Sequence, residues 1–226
     1  MTTIAGLDAA TQALGGAVLG PQQIQAAFGI DPLAGLTDAE RAAVGTIAFS
    51  AAILAQARTE GCFLVLRLPR AADGPLTMLS IAARRTGALD PKVHQGVGYT
   101  LRGEWTIDDQ PFAAKETCVA EWRLVQRAVL PATTNLAYRA QDDVLGHLAR
   151  GAAIPARRSA VEIAYDTLLW HHATGERLLA ESWDWSRSAS TDQGLAALGE
   201  FTERGLRVIA YSRAVKFGTL GVCPQR

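Results

Sequence analysis

The chain has 226 residues, 49% of them hydrophobic and 19% charged, and its 22 basic side chains are matched by 22 acidic ones. That balance excludes a disordered tail, a collagen-like repeat and a histone-like basic protein. A chain this long buries roughly 70% of its unfolded surface, so one domain, or one domain with a helical extension, needs no covalent staple. Cys62, Cys118 and Cys223 form no C-x-x-C pair and stand near no histidine cluster, which fits a reducing or neutral compartment. The N-terminus lacks a basic leader flank and carries Asp8. The longest mostly apolar stretch, Val44 to Ala57, is shorter than the roughly 20 residues that a bilayer crossing requires. We therefore expect no signal peptide and no membrane span, with a cytoplasmic or virion-associated location.

In chain order, residues 1–30 are rich in Ala, Gly and Gln and read as a loosely held helical lead-in. Thr37-Asp38-Ala39-Glu40 has the spacing of a capping box, and Val44, Ile47, Ala48, Ala51 and Leu54 follow at helical intervals, which predicts one helix over 38–58. Phe63 to Leu68 is a short apolar run between Gly61 and Pro69, as in a buried strand. A turn at 72–75 leads to a second helix over 76–85, ending near Gly87. Strands are expected at 99–101, 104–107 and 122–125, around a loop at Asp108-Asp109-Gln110-Pro111. Helix returns over 133–149, with Thr133 or Thr134 as its cap. Residues 155–174 read as a helix closed by Gly175, although Val161 to Tyr165 also alternates as a strand does. The rest is turn-rich β structure. Early helices and late strands together predict an α+β fold.

Conventional chemistry is sparse. His171 and His172 are adjacent, so on a helix their rings diverge by about 100° and cannot easily grip one metal. Asp142-Asp143 and Asp108-Asp109 diverge likewise and read as a solvated face and a turn. Cys118 reads as a free buried cysteine. Nucleophile-elbow, Walker and His-Glu-x-x-His motifs are missing, and Arg84-Arg85 and Arg157-Arg158 are too small for a nucleic-acid footprint in a neutral chain. Trp183 and Trp185, two apart on a strand, face one side and suit a core with Trp105, Trp122 and Trp170. Asp184 and Ser186 are then expected to face outward or to hold the neighbouring loop.

The tail carries the most unusual pattern. No acidic residue follows Glu203, whereas Arg204, Arg207, Arg213, Lys216 and Arg226 are all basic. Residues 208–217 obey neither the strand nor the helix period, and large, small, aromatic and basic side chains alternate between Gly205 and Gly218. Such a stretch suits an exposed contact surface, in which Tyr and Arg contribute most per residue; a twisted edge hairpin is the plain alternative.

The order Trp-x-Trp-Ser, Gly199-x-Phe201, Gly205-Leu206-x-Val208 and Leu220-Gly221-Val222-Cys223-x-x-Arg226 resembles the C-terminal end of the variable proteins of diversity-generating retroelements in prokaryotes and phages. The resemblance covers about 45 residues closely. It implies a C-type lectin-like fold of the formylglycine-generating-enzyme type over 61–226, with 1–60 as an N-terminal helical extension. It also implies that an error-prone reverse transcriptase rewrites adenines in the gene's 3′ end. The matching variable, ligand-binding positions are Arg207, Ile209, Ala210, Tyr211, Ser212, Arg213, Ala214, Val215, Phe217 and Thr219. All ten residue types are reachable from an Asn codon ending in C or T through its first two bases, and Lys216 is not. Trp183, Trp185, Phe201, Gly205, Leu206, Val208, Leu220, Gly221 and Val222 take framework roles. Calcium-dependent sugar binding is not implied, because the animal-lectin cysteine pairs and Asn motif are missing, and Cys223 lacks the second cysteine that formylglycine-generating chemistry needs.

The function expected is non-enzymatic binding, without cofactor or metal, of a protein ligand with an acidic surface. The alternatives are a structural or phage-assembly component pairing through its C-terminal strands, and an enzyme using His171 or Cys118.

Overall fold

The computed structural model describes residues 4–84, 98–101, 107–148, 155–191 and 193–226. The expected helix end at Gly87 and the strand around Trp105 lie outside these residues; Ile107, from the end of that strand, opens a 3-10 turn over Ile107–Asp109.

Residues 4–60 contribute α1 (Leu7–Ala13), β1 (Val18–Leu19), α2 (Pro21–Phe28), α3 (Asp38–Val44) and α4 (Ala51–Thr59). They are packed rather than loosely held: Ile24, Phe28 and Leu54 are buried in the same hydrophobic cluster as Leu64, Ile163 and Leu206. The single helix predicted over 38–58 is two helices. Gly45 closes the first, Thr46 forms a parallel bridge with Ala5, and Ile47 N donates to the Ala5 carbonyl at 3.1 Å. Ser50 then caps α4 by accepting from Ile53 N. Thr37 and Glu40 do form the expected capping box.

Strand β2 (Cys62–Arg67) is buried along its whole length, as the apolar run from Cys62 to Leu66 dictates, and it ends on a buried Arg67. It pairs in parallel with β1 and antiparallel with β6 (Glu121–Gln126), in the sheet order β1-β2-β6. A short hairpin, β3 (Arg70–Ala71) and β4 (Gly74–Pro75), leads to α5 (Met78–Ala83), which Thr77 caps. Then come β5 (Gly98–Leu101) and α6 (Pro111–Lys115).

The helix predicted over 133–149 is shorter than expected. Pro131–Thr133 is a 3-10 turn, Asn135 has φ 56°, and α7 (Tyr138–Leu148) starts only after that left-handed residue has broken the path. The helix reading of 155–174 holds for α8 (Ala160–Thr174): Ser159 and Glu162 cap it, and Gly175 ends it with φ 78°. Every residue from Ala160 to Trp170 is buried. A helix covered on all sides shows no amphipathic period, which is why its sequence also resembled a strand.

The second sheet has the order β10-β7-β8-β9-β5, from β7 (Trp183–Ala189), β8 (Leu195–Thr202), β9 (Gly205–Tyr211) and β10 (Leu220–Gly221). Its central pairs are antiparallel and both outer pairs are parallel. One face, with Leu198, Leu206 and Val208, shares the main core with α8. The other carries a second core of Trp183, Trp185, Leu195, Ala197, Ile209 and Leu220. Gly199 is required by the β7–β8 approach, since a Cβ there would collide with the Ser182 carbonyl. After β10 the chain crosses to the first sheet: Leu124 and Arg226 exchange hydrogen bonds of 2.9 and 3.0 Å, and Gln225 pairs with Ala156. The architecture is α+β, and the tail joins both sheets.

Candidate binding surface and the charge network beneath it

Strand alternation splits the tail. Leu206 and Val208 point into the main core, while Ile209 and Tyr211 point toward Trp183 and Trp185. Of the ten variable positions, Ile209 is buried, Arg207, Ala210, Tyr211, Val215 and Phe217 are half-buried, and Ser212, Arg213, Ala214 and Thr219 are exposed. Arg207 stands about 13 Å from Tyr211 along the strand and pairs with Glu200, so it lies apart from the rest. The structure brings together residues 209–219, which cover the second core between β9 and β10.

The connection 212–219 is held by its main chain. Tyr138 N donates to the Arg213 carbonyl at 3.1 Å, Asn135 N to the Phe217 carbonyl at 3.0 Å, and Trp183 N to the Thr219 carbonyl at 2.8 Å. Within the connection, Val215 N donates to the Ser212 carbonyl and Leu220 N to that of Phe217. One side chain of the connection adds a hydrogen bond among the described residues, Ser212 Oγ accepting from Ala214 N at 3.5 Å, while Val215 and Phe217 pack against the second core. The tail also serves α7, whose first amide finds its acceptor in the Arg213 carbonyl.

Beneath this connection the aromatic rings meet edge to face. Tyr138 lies against Trp185 with centroids 5.1 Å apart, and Tyr211 touches Phe217 at 5.3 Å and Trp183 at 6.2 Å. Trp185 is fully buried, and its indole Nε1 has no acceptor among the described residues. The Arg157 guanidinium stacks 3.9 Å from the Tyr138 ring centre. It also donates to Asp142 Oδ1, to Gln141 Oε1 and, at 2.7 Å, to the Trp185 carbonyl. Gln141, buried in turn, reaches the carbonyls of Thr133 and Leu220. Arg157 and Gln141 thus fix α7 against β7 and β10. Sequence reasoning missed Tyr138, Gln141 and Arg157 because each acts across the fold, and no local spacing marks them.

On the opposite face of β7 lies a network that rules out the outward-facing alternative for Asp184 and Ser186. Both are fully buried, since α8 and the second core cover the sheet on its two faces. Ser186 Oγ donates to the Ala196 carbonyl, and Asp184 holds the tail by accepting from Cys223 N at 2.9 Å. Arg158 donates to Asp184 Oδ2 at 2.8 Å and to Asp166 Oδ2 at 2.7 Å. Arg67 makes a two-pronged contact with Asp166 at 2.9 and 2.5 Å and also reaches Gln225 Oε1. Glu162 sits 3.4 Å from Arg67 and 3.0 Å from Arg187.

Burial pushes the Asp184 carboxyl above the usual carboxylate range against the pull of Arg158. It acts the same way on Glu162, but there Arg67, the Ser159 amide and Arg187 prevail and hold the carboxyl at about 2. Both guanidiniums stay charged: burial opposes it, but their carboxylate partners outweigh that cost. The network ties β2, α8, β7 and the tail together with its charges paired, which is what makes such groups tolerable in an interior.

The candidates for catalysis are placed separately. Burial lifts the Cys118 thiol well above its usual value, which removes the thiolate a nucleophile needs. The half-buried His171 ring packs edge-on against Phe201 at 5.0 Å, and His172 is exposed. Among the described residues no group of three or more His, Cys, Asp or Glu could hold a metal, and no helix is long and apolar enough to cross a membrane.

Fold and site together define an α+β protein with a main-chain-anchored aromatic and basic surface loop. Comparison with known protein families, curated proteins and solved structures finds no match for the chain.

Proposed function

We propose that this chain is a non-enzymatic ligand-binding protein whose residues 207–219 form a surface diversified by a retroelement, within a C-type lectin-like domain. The observation that carries the reading is the anchoring of 212–219 through carbonyl and amide groups. A surface held this way keeps its shape while its side chains change, which a rewritten binding site requires. Two further features support it. Tyr211, Val215 and Phe217 are half-buried and offer apolar area beside exposed Arg213 and Lys216. With no acid after Glu203, the surface favours an acidic protein partner and a salt-sensitive on-rate.

A library with positions 210–215, 217 and 219 varied among residues reachable from Asn codons, displayed and panned against ovalbumin, an acidic protein, tests this capacity. Folded binders with substitutions spread over these positions are expected. A library in which nearly all clones unfold would overturn the reading. For any binder that retains Tyr211, Tyr211→Ala is expected to cost about 2 kcal/mol of binding.

A further inference from the structure

The tail loop closes on a residue outside it. Tyr138, the first residue of α7, takes the Arg213 carbonyl on its amide, and the Arg213 guanidinium lies 5.6 Å from the centre of the Tyr138 ring. That is within the roughly 6 Å over which a cation is held by an aromatic face. Arg157 shares the same ring, but its charge is matched by Asp142 at 2.7 Å and its remaining donors are occupied by Gln141 Oε1 and the carbonyls of Trp185 and Tyr138. Arg213 is exposed and forms no ion pair with any described residue; the same is true of Lys216, three residues on. Among the described residues, Asp142 is the one acid paired with Arg157, Arg213 or Lys216, and the unpaired cations border the half-buried Tyr211, Val215 and Phe217.

We infer that Tyr138 and Arg213 form a carboxylate-recognition subsite for an acidic protein segment, with Tyr138 as a constant positioning residue beneath a rewritable position. The inference rests on the binding role proposed above. Arg213 is fixed at its stem by the backbone bond and at its head by the ring, so its outer N–H groups remain free for the two-pronged contact that a carboxylate accepts. The neighbouring apolar surface selects a segment in which acidic residues alternate with aliphatic ones. Tyr138 lies outside 207–219, so it offers the same platform to every variant of the loop and favours those with a planar cation at 213.

NMR titration of the full chain with a capped Glu-Leu-Glu-Leu-Glu peptide tests the inference, with the Gln-for-Glu peptide and inorganic phosphate as controls. Saturable shifts of the Arg213 Nε–H and the Tyr138 ring are expected with the Glu peptide. Arg213→Ala is expected to weaken it about tenfold and Tyr138→Leu about threefold, while Tyr138→Phe retains affinity because the ring, not the hydroxyl, is used. If Tyr138→Leu displaces the Ser212 to Thr219 amide resonances, Arg213→Lys carries the test instead: it keeps the charge, loses the fork and should weaken binding about threefold. Equal binding of the Gln peptide, equal saturation of the same resonances by phosphate, or an unchanged affinity in Tyr138→Leu with its loop intact would each overturn the inference. The titration reads the chemistry of this chain as it stands, whereas the displayed library reads whether the loop tolerates substitution, so the two ideas fail separately.

Discussion

Replacing Ser212, Arg213, Ala214, Lys216 and Thr219 together, with Thr, Gln, Ser, Gln and Ser, should barely change stability. All five are exposed, Thr at 212 keeps the hydroxyl that accepts from Ala214 N, and the side-chain interaction lost is the stacking of Arg213 on Tyr138. Exposed substitutions of this kind stay within about 0.5 kcal/mol each and vary in sign, and the cation–π contact adds about 0.5–1 kcal/mol, so the fivefold variant should lose about 1 kcal/mol. Ile209→Ala is the contrast. Ile209 is 9% exposed and packs with Trp183 and Trp185, so truncation should cost about 2–4 kcal/mol. Urea denaturation followed by tryptophan fluorescence reads both. A fivefold variant that loses more than about 3 kcal/mol, or as much as Ile209→Ala, would refute the idea that the main chain sets the loop.

Three further outcomes follow from the framework. Gly199→Ala should destabilise by about 3 kcal/mol or prevent folding, because the added methyl meets the Ser182 carbonyl; melting of the purified variant decides it. Arg158→Met strips Asp184 of its guanidinium partner in the interior and should cost about 3–5 kcal/mol, measured in the same denaturant assay; a loss under about 1 kcal/mol would mean that the network is not a staple. Glu162, held at about 2 against an ordinary 4.5, binds its proton more weakly when folded, so its contribution is complete above pH 4.5 and is lost as pH falls toward 2. Asp184, raised by burial, acts in the opposite sense, so the wild-type acid limb contains both. Stability curves of Glu162→Gln and wild type should converge between pH 4.5 and 2, and curves that stay parallel would contradict the assignment.

Elements fixed by nearby residues could be read from the sequence: the Thr37–Glu40 capping box starts α3, and most of the run at 63–68 lies in the buried strand β2 (Cys62–Arg67). What escaped depends on distant partners. The break between α3 and α4 arises where Thr46 and Ile47 pair with Ala5. The α7 start follows from Asn135 and from the tail carbonyl that receives the Tyr138 amide. Asp184 and Ser186 read as a face turned outward or holding a neighbouring loop, and α8 covers that side. In the tail, the mixed stretch 208–217 is legible as a departure from both periods, but its division into core-facing Ile209 and Tyr211 and exposed Ser212 to Ala214 required the sheet. Tyr138 and Gln141 had no local signature, and Arg157 stood out only as half of the basic pair Arg157-Arg158.

The most direct test of a rewritten binding surface is deep sequencing of this gene and its flanks in a growing population of the source organism or virus. We expect a near-copy of the last roughly hundred nucleotides beside a reverse-transcriptase gene, differing from the coding copy at adenines and varying between reads at codons 207, 209–215, 217 and 219 but not at 208, 216 or 218. A single invariant sequence across 207–219, with no such copy nearby, would contradict the diversified-surface reading.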